Sequence, residues 1–326
     1  MKTKSTTIQI TDKLAGQRLD MFLTKKLKIS RSQAQKMVGE GLILVNNLVP
    51  TKTGKPLSIN DKIEFLPAKK EVKVVTSKSK NQKLEPSFTI KDIKIVAETP
   101  DYFVVEKPAG MLTHSTEKGE TDSLAELMSK KYPALKKVGE DPIRPGIVHR
   151  LDKEASGLIV VARTQKMFNH LKEQFKNRTI DKKYSVLVHG VVSKDFDNIT
   201  FRLSRSETSD RMAAIPTMHK GLTSDAGKDA LTEFDVVKRF INFTLLDVKI
   251  HTGRMHQIRV HMLAYNHPVV CDSIYFQKKR KKKWDTKLGR LFLHCVNLGF
   301  TDLDGERQNF SSNLPSVLAD FLKHLK

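Results

Sequence analysis

The chain has 326 residues, which is enough for one sizeable hydrophobic core and a smaller second domain. Lys and Arg number 58 against 36 Asp and Glu, so the formal net charge is +22 and the preferred partner is a polyanion. Nucleic acid is the first candidate, and an anionic membrane surface is the second. No uninterrupted apolar stretch approaches the ~20 residues that span a bilayer, which argues against a membrane protein.

The N-terminal segment and the cysteine content both bear on where the protein is located. Lys2 and Lys4 carry charge at the N-terminus, but no apolar region follows them, so the segment does not resemble a secretory signal. The two cysteines, Cys271 and Cys295, are too few and too far apart for a zinc ribbon or a disulfide framework. We therefore expect a cytoplasmic protein.

The N-terminal segment, residues 1–67, has the pattern of a small α/β domain. Its first predicted helix carries apolar residues at helical spacing: Leu19, Phe22, Leu23 and Leu27. Ser30 and Gln33 have the spacing of a capping box, which opens a second helix. Two strand patterns follow, at residues 43–45 and 62–66. Arg31 and Lys36 lie on the second helix away from its apolar positions, as ordinary surface residues also do.

This segment resembles the small RNA-binding domain of ribosomal protein S-four, the alpha-L motif. The resembling stretches are residues 17–20, 30–34 and 41–46. The resemblance implies that the second helix presents its basic face to RNA phosphates and shape rather than to base edges.

Residues 68–86 are predicted to be a basic linker, because lysines dominate there and apolar periodicity is missing. Six lysines stand against Glu71 and Glu85. Such a tether could follow a nucleic-acid backbone, but its composition is equally typical of a soluble linker.

From residue 87 onward, strand and helix patterns alternate without a fixed repeat, and we assign residues 87–326 to one large domain. Four segments have strand patterns: residues 102–105, 158–162, 183–188 and 244–250. Thr164 is predicted to cap a helix in which Met167, Leu171 and Phe175 share one face. Because strands outnumber helices, the fold class is α+β, with a mixed, largely antiparallel sheet flanked by helices.

A carboxylate lies between basic neighbours in the run from His149 to Leu158, directly before an apolar strand. Pro145 and Gly146 mark a turn upstream, so we expect Asp152 on a short loop at the rim of the sheet, where reactive groups are commonly mounted. An isolated loop aspartate is more often a solvated partner of a nearby Lys or Arg. The flanking pattern favours a functional role here.

Residues 252–262 form a second dense constellation, with a helix predicted to start at Thr252 or Gly253. On that helix Arg259 shares a face with Met255 and Met262, so its guanidinium requires an anionic partner.

A zinc site is a poor interpretation of the histidines in this constellation. His256 and His261 are five residues apart and diverge by about 140° on a helix with ~3.6 residues per turn, so no metal is predicted. The chain also lacks a Gly-x-Gly-x-x-Gly fingerprint and a phosphate loop, which argues against nucleotide-cofactor folds.

Five separated motifs resemble, in order, those of the RluA family of RNA pseudouridine synthases: residues 107–110, 146–152, 183–184, 253–259 and 290–294. A preceding alpha-L domain is common in that family, so the two resemblances support each other. Cys271 and Asp272 stand where the family usually has Gly-Asp.

The resemblance implies that Asp152 is the catalytic aspartate, Arg259 its guanidinium partner and Tyr184 the active-site tyrosine. Such enzymes detach uracil from its ribose in RNA, turn the base and rejoin it through carbon-5, without a cofactor or metal. An ionised carboxylate can stabilise or trap the positive charge at C1′. Judged by sequence alone, a core aromatic on a strand is the favoured interpretation of Tyr184.

RNA is thus the expected partner of a monomeric enzyme, and a buried uridine must leave its stack at a cost of a few kcal/mol. Arg150 is a candidate to fill the vacated space or to bind phosphate. The predicted RNA-binding residues are Arg31, Lys36, His149, Arg150, Arg254 and Lys281, the last within a basic run that we expect in a loop.

Large-subunit ribosomal RNA is the expected target, because the motif around Asp152 resembles that branch of the family. Transfer RNA is the runner-up. A non-catalytic RNA-binding or ribosome-assembly factor would not require Asp152, Tyr184 and Arg259 together. An RNA glycosylase would share the carboxylate but release free uracil.

Overall fold

The computed structural model describes residues 6–27, 29, 31–39, 41–50, 53–54, 56–66, 88–115, 122–206, 211–215, 218–219, 222–223, 226–276 and 283–326. They group into two compact units, within Met1–Lys83 and Leu84–Lys326. The predicted linker at residues 68–86 lies outside the described residues. No helix in the described ranges is long and apolar enough to cross a membrane.

The N-terminal unit packs two helices on a small antiparallel sheet. Its elements are β1 (Thr6–Gln9), α1 (Leu19–Leu27), α2 (Arg31–Gly39), β2 (Ile43–Val45) and β3 (Lys62–Phe65). The strand order is β1-β3-β2. Leu23, Ile43 and Ile63 are completely buried between helices and sheet. Both predicted helices and both predicted strands are confirmed, whereas β1 carries too short a pattern to be found from sequence.

The C-terminal unit is built on one large sheet with helices around it. Its strands are β4 (Lys94–Glu98), β5 (Tyr102–Lys107), β6 (Ser156–Ala162), β7 (Asp181–His189), β8 (Phe196–Ile199), β9 (Arg202–Arg205), β10 (Met212–Ile215), β11 (Met218–His219), β12 (Leu222–Thr223), β13 (Thr232–Arg239), β14 (Phe243–Ile250), β15 (Leu293–Thr301) and β16 (Arg307–Ser311). Its helices are α3 (Leu124–Lys131), α4 (Gln165–Asn177), α5 (Gln257–Ala264), α6 (Lys283–Leu288) and α7 (Ser316–Lys323).

Nine of these strands form the sheet, in the order β4-β5-β6-β15-β7-β14-β13-β8, with β16 paired to β15. Among the described strands of this sheet, β6 and β15 are the one parallel pair. The predicted α+β class and the mixed, largely antiparallel sheet are therefore confirmed. Strands β9 and β10 form a separate hairpin.

Strand β6 is an interior strand of the sheet, between β5 and β15, and all seven of its residues are buried. Gly157 allows this strand to approach β15 closely, because a Cβ at its φ of +117° would clash with the Cys295 carbonyl oxygen. The predicted helix after β6 is also confirmed. Thr164 caps α4 by accepting a hydrogen bond from the Met167 N–H at 3.2 Å.

The predicted start of α5 at Thr252 or Gly253 is wrong, since the helix begins at Gln257. The preceding residues form a turn that is tied to the first helical residue. The Thr252 hydroxyl donates to Gln257 Oε1 at 2.7 Å, and Gln257 Nε2 donates to the Leu231 carbonyl at 2.9 Å. Met255 therefore precedes the helix and does not share its face with Arg259.

Candidate active site

The loop that carries Asp152, residues 149–155, is called the aspartate loop here. It enters β6 and is held by the segment that follows β5. Thr113 Oγ1 donates to the Leu151 carbonyl at 2.9 Å and accepts from the Leu151 N–H at 3.2 Å. The Gly110 N–H donates to the Lys153 carbonyl at 2.7 Å. The backbone on both sides of Asp152 is therefore fixed.

Lys107, the last residue of β5, lies beneath this loop and is 1% exposed. Its ammonium donates to three carbonyls, those of Met111 at 2.7 Å, Pro108 at 2.8 Å and Lys153 at 3.2 Å. Burial lowers the pKa of Lys107 to about 7, against the opposing charges of Asp152 and Glu154. Sequence reasoning placed Lys107 in a family motif but gave it no role.

Arg259 reaches the aspartate loop from α5 and is completely buried. Its Nη1 lies 3.3 Å from Asp152 Oδ2 and 3.4 Å from Glu154 Oε2. A tighter, bidentate pair joins Arg259 to Asp272, with N–O distances of 2.6 and 2.8 Å. Burial acts to lower the pKa of Arg259, but the hydrogen bonds and charge of Asp272, then of Asp152, raise it above its ordinary value.

Asp272 is the residue that sequence reasoning missed, although the requirement for an anion beside Arg259 was recognised. It is buried, and its Oδ1 also accepts the N–H groups of Ile274 and Tyr275, at 2.9 and 2.8 Å. Its neighbour Cys271 has a φ of +60°, in the left-handed region that glycine adopts most readily. That backbone conformation explains why glycine suits this position in the family.

Tyr184 projects from β7 opposite Cys295 of β15, and only 5% of it is exposed. Burial raises the pKa of Tyr184 well above its ordinary value, and Cys295 and Asp152 raise it further. The phenol is therefore neutral at physiological pH. Its ring lines the same cavity as Asp152 and Arg259, so the structure brings the three predicted catalytic residues together.

The cavity has a volume of about 510 Å³ and belongs entirely to the C-terminal unit. Among the described residues that line it, seven are Lys or Arg, and Asp152 is the one carboxylate. Such a lining attracts an anionic ligand while leaving one acidic group for chemistry.

The predicted RNA-binding residues fall in different places. Arg150 and Arg254 both line the cavity, and Arg150 is exposed. Arg254 Nε donates to the Asp229 carbonyl at 3.1 Å. Positions 31 and 36 lie in α2, within the N-terminal unit. Lys281 lies outside the described residues.

His149 makes internal contacts that favour a packing role over phosphate binding. Its ring stacks on Phe175 with centroids 4.8 Å apart, and its Nε2 accepts from the Val160 N–H at 3.1 Å. Burial lowers the pKa of His149 to about 3, so the ring is neutral.

Lys182 is a second residue that sequence reasoning missed, and it lines the cavity. It is 7% exposed, and its Nζ lies 5.2 Å from the centroid of the Phe175 ring. A signal was available, because residues two apart on a strand share a face and Lys182 therefore accompanies Tyr184.

The histidines at 256 and 261 have separate surroundings. His261 contacts the Thr232 hydroxyl and the Phe201 carbonyl, each at 2.9 Å, whereas His256 faces the cavity.

Comparison with known proteins agrees with this architecture. A family model described as RNA pseudouridylate synthase matches residues 101–264, and one described as S4 domain matches residues 17–63. An uncharacterized RNA pseudouridine synthase of Bacillus subtilis, YlyB, is 32% identical over 321 residues, covering 98% of this chain and 97% of that protein. Ribosomal large subunit pseudouridine synthase D of Neisseria meningitidis serogroup B is also 32% identical, covering 96% and 80%.

A solved structure supports the fold independently. Human RNA pseudouridylate synthase domain containing 1 superposes with a TM-score of 0.57 at 24% identity, covering 72% of this chain and 90% of that one. This match shows that the fold is shared, and it says nothing about the substrate. With the family model, the relatives and the fold in agreement, the chain belongs to the RNA pseudouridine synthase family, isomerases that act on RNA, and it carries an S4 domain.

Proposed function

We propose that this enzyme converts specific uridines of large-subunit ribosomal RNA to pseudouridine, with Asp152 as the catalytic carboxylate. The observation that carries the proposal is the Asp152 carboxylate, 3.3 Å from the Arg259 guanidinium, in a cavity where it is the one carboxylate among the described lining residues. Arg259 gives the carboxylate a fixed counter-charge, because Asp272 holds the guanidinium in place.

The isomerisation rearranges bonds without oxidation or reduction. The N1–C1′ glycosidic bond breaks, and Asp152 stabilises or traps the positive charge that develops at C1′. The base turns, a C5–C1′ bond forms, the proton on C5 leaves and N1 gains one. Tyr184, whose phenol stays neutral because burial raises its pKa, packs on the uracil ring. Atoms balance without a second substrate.

The size of the cavity supports base flipping. A volume of about 510 Å³ lies in the ordinary range for pockets that take one small ligand, so it can take one nucleoside and not a duplex. The target uridine then leaves its stack, at a cost of a few kcal/mol. Arg150, exposed at the cavity, fills the vacated space by stacking or binds the neighbouring phosphate.

Three features support ribosomal RNA as the target. The net charge is +22, an S4 domain is present, and the Neisseria relative is named for the large ribosomal subunit. Transfer RNA is the second candidate. A non-catalytic assembly factor is disfavoured because the geometry retains a complete set of Asp152, Tyr184 and Arg259 around one cavity. We propose further that the enzyme is a cytoplasmic monomer.

The test is a pseudouridine map of total RNA from cells that lack the protein, complemented with wild type, Asp152→Asn or Asp304→Asn. Asp304 is an exposed loop residue and serves as the matched control. We expect sites in large-subunit ribosomal RNA to disappear on deletion and to return with wild type and Asp304→Asn but not with Asp152→Asn.

Other outcomes decide between the alternatives. Lost sites in transfer RNA would assign that substrate, and free uracil released from purified RNA would indicate a glycosylase. If no site disappears on deletion, or if Asp152→Asn restores every site, the enzymatic proposal fails. RNA binding that survives Asp152→Asn and weakens with salt would separate lost chemistry from lost binding.

A further inference from the structure

A chain of polar contacts leads from the backbone of β10 to the second oxygen of the Asp152 carboxylate. The Met212 N–H donates to the Tyr275 hydroxyl at 2.9 Å. That hydroxyl lies 2.9 Å from His256 Nδ1, and His256 Nε2 lies 3.9 Å from Asp152 Oδ1. Arg259 approaches the other oxygen, Oδ2, so each oxygen of the carboxylate faces a different basic side chain.

The donors along this chain fix the tautomer of the imidazole. The Tyr275 hydroxyl accepts the Met212 N–H, and among the described residues His256 Nδ1 is the acceptor within reach of its own proton, which would be buried without a partner if Nδ1 carried the hydrogen. Nδ1 is therefore the acceptor, and the ring proton of neutral His256 lies on Nε2, toward Asp152.

The charges around His256 oppose one another. Burial lowers its pKa and so does the charge of Arg259, while Asp152, Glu154 and Asp272 act to raise it. The direction that prevails is downward, which keeps the ring neutral. The Tyr275 ring also packs edge-on against it, with centroids 5.5 Å apart.

We propose that His256 is a positioning residue for Asp152, which it orients from Nε2, and that Tyr275 and the backbone of β10 set the orientation of His256. The proposal rests on the catalytic role of Asp152 given above. The 3.9 Å separation exceeds a hydrogen bond by about 1 Å, and catalytic hydrogen bonds commonly tighten when the substrate binds. With Arg259 on Oδ2 and His256 on Oδ1, the plane of the carboxylate is fixed toward C1′.

Two variants of His256 separate its two nitrogens. His256→Gln places an amide N–H near the former Nε2, and His256→Asn keeps a polar group only near Nδ1. Asn also suits the backbone, because His256 has a φ of +55° and Asn adopts the left-handed region readily. Tyr275→Phe removes the hydroxyl but keeps the ring, whose centroid is 5.3 Å from the Arg259 guanidinium carbon.

The first experiment reads the tautomer of His256 without any activity measurement. Long-range ¹H–¹⁵N spectra of the full-length protein with ¹⁵N-histidine would be assigned by the resonance that His256→Asn removes. We expect the Nε2–H tautomer in wild type and a mixture of tautomers in Tyr275→Phe. An Nδ1–H tautomer in wild type, or no change in Tyr275→Phe, would overturn the proposal.

The second experiment measures kcat and KM for the isomerisation of RNA. We expect His256→Asn and Tyr275→Phe each to lower kcat about 10-fold with KM changed less than about 2-fold, and His256→Gln to recover part of the loss. The double variant His256→Asn, Tyr275→Phe should lose no more than His256→Asn alone. Tyr265→Phe is the control, because its hydroxyl donates to Asp197 at 2.7 Å, outside this chain of contacts.

Additive losses in the double variant, or a Tyr275→Phe enzyme as active as Tyr265→Phe, would contradict the coupling. Equal melting temperatures exclude misfolding as the cause of any loss. If Asp152→Asn were fully active, the catalytic proposal would fail, whereas the tautomer spectra would still report on the contact chain. The two failures are therefore distinguishable.

Discussion

Two buried cations hold the aspartate loop, and they do so in different ways. Lys107, at the end of β5, donates to backbone carbonyls, among them that of Lys153. Arg259, on α5, is paired with the carboxylates of Asp272 and Asp152. One cation therefore fixes where the loop lies, and the other fixes the charge of the side chain that the loop presents.

The difference in partners explains why burial affects the two cations differently. Carbonyl dipoles offset only part of the desolvation of an ammonium, so the pKa of Lys107 falls to about 7. The carboxylates around Arg259 more than offset its desolvation, and its pKa rises. A buried cation that binds only backbone carbonyls can thus approach neutrality, whereas one that is paired with carboxylates stays charged.

The largest effect is expected from Arg259→Met, which removes the cation that is paired with carboxylates. It leaves the carboxylate of Asp272 buried without its cation, and removing one partner of a buried pair costs about 3–5 kcal/mol. We expect a loss of that size in the free energy of unfolding, measured by urea denaturation, together with loss of isomerisation.

Arg254→Met is the matched control for that change. Arg254 lines the same cavity but donates through Nε to a single carbonyl, so its loss should cost less than about 1 kcal/mol. Equal denaturation midpoints for the two variants would show that the Asp272 pair does not support the fold.

Lys107→Met tests the backbone side of the comparison. Buried carbonyls lose their donor, and each unsatisfied group costs about 1–3 kcal/mol, so we expect a loss of about 3 kcal/mol in the free energy of unfolding. The folded fraction should keep most of its activity, because the Asp152–Arg259 pair remains. Lys94→Met, in which the lost lysine is 70% exposed, is the control and should have little effect. Activity lost without stability would reverse the roles assigned to the two cations.

The residues of this site that belong to sequence motifs could be predicted, whereas those whose roles depend on tertiary contacts could not. Asp152 and Arg259 lie in motifs that resemble those of a known family, and that resemblance placed them in one site although 107 residues separate them. Asp272 was not assigned, because its pairing with Arg259 depends on the path of the chain after α5. The role of Lys107 depends on a contact with a carbonyl 46 residues away, which no side-chain pattern records. Sequence therefore predicts the reacting groups better than the groups that support them.

The low pKa of Lys107 also makes the stability of the protein depend on pH. The pKa of Lys107 is about 7 in the folded protein and near its ordinary, higher value in the unfolded chain. The unfolded state therefore binds more protons between these two pKa values, and stability rises with pH in that window, by at most about 1.4 kcal/mol per pH unit. We expect wild type to gain stability relative to Lys107→Met between about pH 7, the pKa in the folded protein, and about pH 9. Urea denaturation at each pH measures this difference. A constant difference would mean that the carbonyls keep Lys107 protonated.

The smallest effect on the fold is expected at Lys182, a third buried cation that has neither kind of partner. Its Nζ makes no hydrogen bond or ion pair within the described part of the chain, lies over the Phe175 ring and faces the cavity. Burial lowers its pKa, and an arriving phosphate would oppose that effect by stabilising the charged form. Lys182→Met should leave the melting temperature unchanged or higher, because it removes an uncompensated buried charge.

RNA binding is where the loss of Lys182 should appear. If its ammonium meets one phosphate, Lys182→Met should weaken binding severalfold and reduce the slope of log K against log salt by about 1. Lys183→Met is the matched control, since Lys183 points to the opposite face of β7 and pairs with Asp247 at 3.4 Å. An unchanged salt slope in Lys182→Met would show that Lys182 does not bind a phosphate. Its role would then be structural, like that of Lys107.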